Sequence, residues 1–185
     1  MNATFITGNQ NKADYLAKLL DMPVYHQKID LDELQSLDLE IIVEHKVRQA
    51  YEIMQKPVLV EDVSLGFDAL GGLPGPFIKF FVEQDNGLDK LCRMVDGLES
   101  RRAIASTVFG YFDGQRLELL RGELHGEIAT HPRGAGGYGW DQIFCPDGYD
   151  GKTRSELTTE QDHITYMIIK PIERLKQLLT EIGHE

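Results

Sequence analysis

The stretch VLVEDVSLGFDALGGLPGPFIKFF, residues 58 to 81, gathers the residue types with most chemistry to offer. An apolar run closes on two adjacent carboxylates, Glu61 and Asp62. A glycine- and proline-rich loop follows, GGLPGP at 71 to 76, and then Lys79 among apolar neighbours. Carboxylate oxygens suit a hard divalent cation, and a carboxylate can also take a proton from an attacking water. Glycines let backbone approach a ligand closely, prolines stiffen the loop so that less entropy is lost on binding, and a lysine adds a point charge. A solvated strand end and a tight connector with a snorkelling lysine account for the same residues without a ligand. Neighbours on a strand face opposite ways, so one carboxylate of the pair is expected to enter a given cleft.

Two other segments carry candidate chemistry. In TGNQNK, Thr7 to Lys12, an expected strand turns into an expected helix. Free backbone N–H groups and the positive end of the helix dipole make such a turn an anion site, to which Lys12 adds charge. It is not a P-loop, which needs a second glycine directly before the lysine, and helix capping by Thr7 and Asn9 explains the segment equally. GGYGWDQIF, 136 to 144, sets Tyr138 and the single tryptophan, Trp140, beside Gly137 and Gly139, with Asp141 next. Aromatic faces stack on bases and a carboxylate accepts from a base edge, although a core tryptophan beside a turn is the commoner fate. The six histidines, at 26, 45, 125, 131, 163 and 184, show no zinc spacing, and structural or surface roles suit most of them. No GxSxG elbow is present.

The elements that must position these groups follow from periodicity. Residues 3 to 7 and 23 to 29 read as strands, separated by a helix with Tyr15, Leu16, Leu19 and Leu20 on one stripe. Leu39, Ile42, Val43, Val47, Ala50, Ile53 and Met54 recur at helical spacing after Asp38, a suitable N-cap, and Pro57 ends that helix. Residues 58 to 60 read as a short buried strand, 77 to 83 and 87 to 96 as short helices, and 105 to 129 as antiparallel strands turning at Asp113-Gly114. An amphipathic helix from Pro171 to Ile182 closes the chain. This order spells an α/β fold, a mixed central sheet with flanking helices, as one domain or as two lobes around a cleft.

Composition narrows the partners. The chain has 185 residues, 42% of them hydrophobic and 26% charged, enough for a real core. No apolar stretch approaches the roughly 20 residues of a membrane span. The N-terminus lacks the features of a signal peptide, and Cys92 and Cys145 lie far apart, so a cytoplasmic protein with free thiols is expected. Acids outnumber bases by 30 to 19, for a net charge of −11, without a basic run. A polyanionic duplex is therefore an unsuitable partner, whereas a small anion held by local cations and a metal is not.

The order and wording of the motifs together are specific. TGNQNK, KIDLDELQ (28 to 35), the 58 to 81 stretch, YGWDQIFCPDGY (138 to 149) and the His163 region resemble the inosine triphosphate pyrophosphatase family. Its members hydrolyse non-standard purine nucleoside triphosphates to monophosphate and pyrophosphate, which implies one nucleotide-pyrophosphatase domain over 1 to 185, with a nucleotide partner and a homodimeric assembly. The resemblance implies that Thr7, Gly8, Asn9, Gln10, Asn11 and Lys12 hold phosphates, joined by Lys46 and Lys79. It implies Mg²⁺, with Mn²⁺ as the alternative, supported by Glu33 and Asp62, with Asp62 also accepting a proton from water. Tyr138, Gly139, Trp140 and Asp141 would hold the base. Three lysines and one divalent cation then face a triphosphate of about −4, offset locally by Glu33 and Asp62.

The departures gather near the C-terminal end. LTTEQDHITYM (157 to 167) stands where the family carries a lysine and then Ser-His-Arg. His163 keeps the histidine place, Asp162 stands for serine, Ile164 for arginine, and Thr158 or its neighbours fall where the lysine is expected. Val63 replaces a threonine after the aspartate. Isoleucine cannot donate to a 6-oxo group, so the resemblance implies an altered base preference, with comparable turnover of ITP and ATP. Alternatives are a diphosphatase for another modified or pyrimidine triphosphate, or a nucleotide binder without turnover.

Overall fold

The computed structural model describes residues 3–183, so the histidine at 184 lies outside the described residues. Among the described residues seven strands form one mixed sheet: β1 (Thr4–Ile6), β2 (Tyr25–Gln27), β3 (Val58–Phe67), β4 (Pro74–Gly75), β5 (Arg102–Phe112), β6 (Leu117–Ile128) and β7 (Phe144–Pro146). The hydrogen-bonded order is β2-β1-β3-β5-β6-β7, with β4 on β3. Strand β1 is parallel to β2 and β3, while β3–β4 and β6–β7 are antiparallel. The helices are α1 (Gln10–Leu20), α2 (Leu39–Met54), α3 (Ile78–Val82), α4 (Gly87–Met94), α5 (Thr159–Ile169) and α6 (Ile172–Ile182). This is the expected α/β class. Among the described residues no helix is long and apolar enough to cross a membrane.

Local chemistry sets several boundaries as expected. Asp38 caps α2, its Oδ1 accepting from the Glu40 and Ile41 N–H groups at 2.9 and 3.4 Å. The helix stops at Gln55 in the left-handed region, before Pro57 removes the next donor. At the β5–β6 turn Asp113 Oδ1 accepts from the Gln115 and Arg116 N–H groups at 2.8 and 2.7 Å, and Gly114 supplies φ 101°. Helix α5 has no counterpart in the sequence reading, although its signal was present. Thr158 and Gln161 form a capping box.

One expectation is corrected. Strand β3 does not end at the acids; it runs ten residues, leaving Glu61 and Asp62 in mid-strand. The continuation is held by Leu65 and Phe67, both fully buried, and by pairing of Leu65 and Gly66 with Gly75 and Pro74. Burial of those two side chains, about 1.5–3 kcal/mol each, outweighs the tendency of charged residues to end a strand.

The chain divides into two compact units. One comprises the residues through Asp62, Thr107–Arg121 and the segment from Pro171; the other comprises Val63–Ser106 and Gly122–Lys170. In the first, Leu39, Val43, Val47 and Ala50 of α2 pack on Val58, Val60 and Val108. In the second, Leu65, Phe67, Ile78, Leu91, Phe144 and Ile169 are central to the core. Gly126 of β6 lies against β7, where an added Cβ would run into the Cys145 carbonyl oxygen and sit 2.9 Å from the Phe144 ring. Gly126→Ala should therefore cost about 1–3 kcal/mol of stability, read as a lower denaturant midpoint at unchanged m-value.

Candidate active site

At the start of α1, Thr7 Oγ1 accepts from the Asn9 N–H and Asn9 Oδ1 from the Lys12 N–H, each at 3.2 Å. His26 on β2 secures the turn, reaching the Thr7 carbonyl oxygen through Nδ1 at 3.2 Å and Gln10 Oε1 through Nε2 at 2.7 Å. Capping therefore uses Thr7 and Asn9, while Gly8, Gln10 and Asn11 are exposed where the dipole's positive end emerges. Lys12 reaches across to Glu61 at 2.6 Å; the glutamate side chain is 1% exposed and the lysine 33%. Glu61 thus pairs with Lys12.

Its neighbour grips a different lysine. Lys46 Nζ on α2 donates to Asp62 Oδ2 at 2.6 Å and to Glu33 Oε1 at 3.0 Å. Burial alone would lower the Lys46 pKa, but the charges and hydrogen bonds of Asp62 and then Glu33 overcome it, and the net shift is upward. The loop bearing Glu33 is tied to α2 by a reciprocal pair: the Asp32 N–H donates to Gln49 Oε1 at 2.8 Å, and Gln49 Nε2 donates to Asp32 Oδ2 at 2.9 Å. Two carboxylates from distant segments therefore converge on one cation-sized point. The alternation of β3 explains why Glu61 and Asp62 serve separate lysines.

The second unit holds another cluster. Asp141 accepts from the Tyr138 N–H through Oδ2 at 2.8 Å and from Arg154 Nη1 through Oδ1 at 2.7 Å. Burial raises the Asp141 pKa, with Arg154 opposing the shift. Arg154, 7% exposed, also donates Nη2 to Asp162 Oδ1 at 2.6 Å and Nε to Thr165 Oγ1 at 3.0 Å. Ser155 closes the loop through its Oγ–H to the Gly136 carbonyl at 3.0 Å and its N–H to the Asp141 carbonyl at 3.1 Å. Gly137, at φ 82°, is required here, because a Cβ would lie 2.6 Å from Ser155 Oγ. The loop thereby presents Tyr138 84% exposed, while Trp140 packs against the core with Nε1 buried and without a protein partner. A cavity of about 200 Å³ is lined by Asp141, Arg154, Ser155, Thr159 and Asp162 among others.

The structure places three further sequence candidates as follows. Lys79 does not lie along apolar surface: α3 turns Ile78 inward, and Lys79 is exposed, 3.7 Å from Glu83. His163 is exposed on α5 and does not line the cavity, because one helical residue rotates it about 100° from Asp162. Val63 is half-buried on β3. Arg154, Gln49 and Asp32 were not singled out from sequence. The Thr153–Glu156 capping box was a local signal near Arg154, but nothing local marks an arginine for burial.

Residues 3–176 match the model of the Ham1 family. The chain belongs to the Ham1 family. Among relatives of this Ham1-family chain, inosine triphosphate pyrophosphatase 2 of Trypanosoma cruzi (strain CL Brener) is 42% identical over 161 residues, covering 85% of this chain and 82% of the relative. The inosine triphosphate pyrophosphatase of Emericella nidulans is 40% identical over 181 residues, 96% of each. The Ham1 protein of Staphylococcus aureus superposes with a TM-score of 0.83 at 23% identity over 99% of both chains, a likeness of fold. Both free thiols of this Ham1-family chain, Cys92 and Cys145, are buried. Burial pushes the Cys92 thiol up to about 11, which suits inert core residues.

Proposed function

We propose that this Ham1-family chain hydrolyses nucleoside triphosphates between the α and β phosphorus atoms, with non-standard purines such as ITP as substrates. The observation that carries the reading is the convergence of Glu33 and Asp62 on one cation-sized point at Lys46 Nζ. The names of relatives 40–42% identical over most of the chain support it.

The donor set suits Mg²⁺. Lys46 Nζ holds the point between two hard carboxylates, so that point favours positive charge, and a two-carboxylate site leaves the remaining positions to water and phosphate oxygens. When bound there, the cation would neutralise phosphate charge and lower the pKa of a coordinated water. Glu33 and Asp62 would hold it. A triphosphate of about −4 would compete with Glu61 for Lys12 and with Asp62 for Lys46, drawing both ammonium groups to its oxygens. Asp62, relieved of Lys46, accepts the proton of the attacking water. The new bond joins that oxygen to the α phosphorus, the bond from the α phosphorus to the bridging oxygen breaks, and pyrophosphate leaves.

The test is product analysis with ITP and XTP, with and without Mg²⁺. Pyrophosphate and monophosphate, lost on adding EDTA and restored by Mg²⁺, are expected. Orthophosphate and diphosphate as products would overturn the reading.

A further inference from the structure

Helix α2 meets the loop that carries Glu33 at two points. Lys46 and Gln49, three residues apart, are neighbours on one face of the helix. Lys46 takes the Glu33 carboxylate at 3.0 Å, and Gln49 takes the residue before it. The loop, residues 28 to 38, forms neither helix nor strand, so no ladder fixes its path. Leu31 packs against the core of the first unit, which seats the loop without aiming residue 33. The aim comes from Asp32, whose N–H donates to Gln49 Oε1 at 2.8 Å and whose Oδ2 accepts from Gln49 Nε2 at 2.9 Å. One amide thereby holds both the main chain and the side chain of the preceding residue, with donor matched to acceptor in both directions.

Among the described residues Lys46 is the one partner of the Glu33 side chain, which is 75% exposed. In the proposed reaction the triphosphate draws Lys46 away, and that partner is lost just when Glu33 has to share a cation with Asp62. The Asp32–Gln49 pair does not involve Lys46 and stays in place. We propose that Gln49 is a positioning residue for the divalent cation: by clasping Asp32 it keeps the main chain at Glu33 within reach of Asp62 once Lys46 has moved to phosphate. This rests on the proposed cation-assisted hydrolysis and names the residue that keeps its cation site assembled. Groups that hold metal-ligating side chains from behind are worth about 10–100-fold in metal affinity or activity, and the clasp acts on the residue next to the ligand.

The test uses Gln49→Met, which keeps the length of the side chain and its helix propensity but loses both bonds. Mn²⁺ binding is read from the electron paramagnetic resonance of the free ion, without nucleotide, and the Mg²⁺ requirement from pyrophosphate release with ITP. Gln49→Met should weaken Mn²⁺ binding and raise the half-saturating Mg²⁺ concentration about tenfold each. The rate at saturating Mg²⁺, KM for ITP and the metal-free melting temperature should stay near their parental values, which a general loosening of α2 would not allow. The exchanged pair Asp32→Asn, Gln49→Glu has the parent's net charge and again sets donor against acceptor in both directions, so it should recover most of the Mn²⁺ affinity. Unchanged Mn²⁺ affinity in Gln49→Met, or no recovery in the exchanged pair, overturns the inference and leaves the hydrolysis reading standing. A parent that releases pyrophosphate yet takes up no Mn²⁺ does the same. Absence of pyrophosphate release from every triphosphate overturns both.

Discussion

Asp62→Asn should release pyrophosphate about a thousandfold more slowly than the parent, the loss typical of removing a general base. The amide keeps the carboxylate's shape and can still accept from Lys46 Nζ, now 2.6 Å away, so the fold and the melting temperature should change little. What the amide lacks is the charge that, in the proposed reaction, would take a proton from water and hold a divalent cation with Glu33. The measurement is single-turnover pyrophosphate release at saturating Mg²⁺, with circular dichroism as the control for folding. Retention of more than a tenth of parental activity would remove Asp62 from the chemistry.

Lys12→Met is the second substitution with a large expected effect, and it should act in two separable ways. It removes the ammonium partner of the Glu61 carboxylate, whose side chain is 1% exposed. Removing one partner of a buried pair costs about 3–5 kcal/mol; with Lys12 one-third exposed, a loss of about 2 kcal/mol is expected. The same change removes a cation from the mouth of α1 and should raise KM for the triphosphate about tenfold or more. The double variant Lys12→Met, Glu61→Leu separates the two effects. An apolar pair of similar volume should recover most of the stability, because the buried charge is gone with its partner. Triphosphate affinity should stay as weak as in Lys12→Met. Recovery of affinity along with stability would mean that Lys12 serves the fold alone.

The contrast between these two lysines shows where reading a sequence succeeds. TGNQNK identified itself as a strand-to-helix turn, and Asp38 as the cap of α2, because caps and turns depend on atoms three or four residues apart. The binary pattern of α2 pointed to its buried face for the same reason. That Asp62 and Glu33 belong to one site came from resemblance, since no spacing joins a loop residue to a strand residue. The structure adds the physical link: Lys46, 16 residues from Asp62 and 13 from Glu33, meets both.

The sequence by itself determined the α/β class, most element positions, the strand-to-helix turn at TGNQNK, the acid pair and the aromatic loop, all expressed in short-range pattern and composition. Only the tertiary structure decided that β3 continues past its acids, that Glu61 and Asp62 hold different lysines, and that Arg154 rather than His163 lines the cavity. Burying a charge is tolerated only where partners surround it, and those partners come from separate parts of the chain: Asp141, Asp162 and Thr165 around Arg154, and Lys12 against Glu61. Whether an arginine is a solvated surface residue or a buried part of a cavity wall is set by that surrounding constellation, which exists only once the chain has folded.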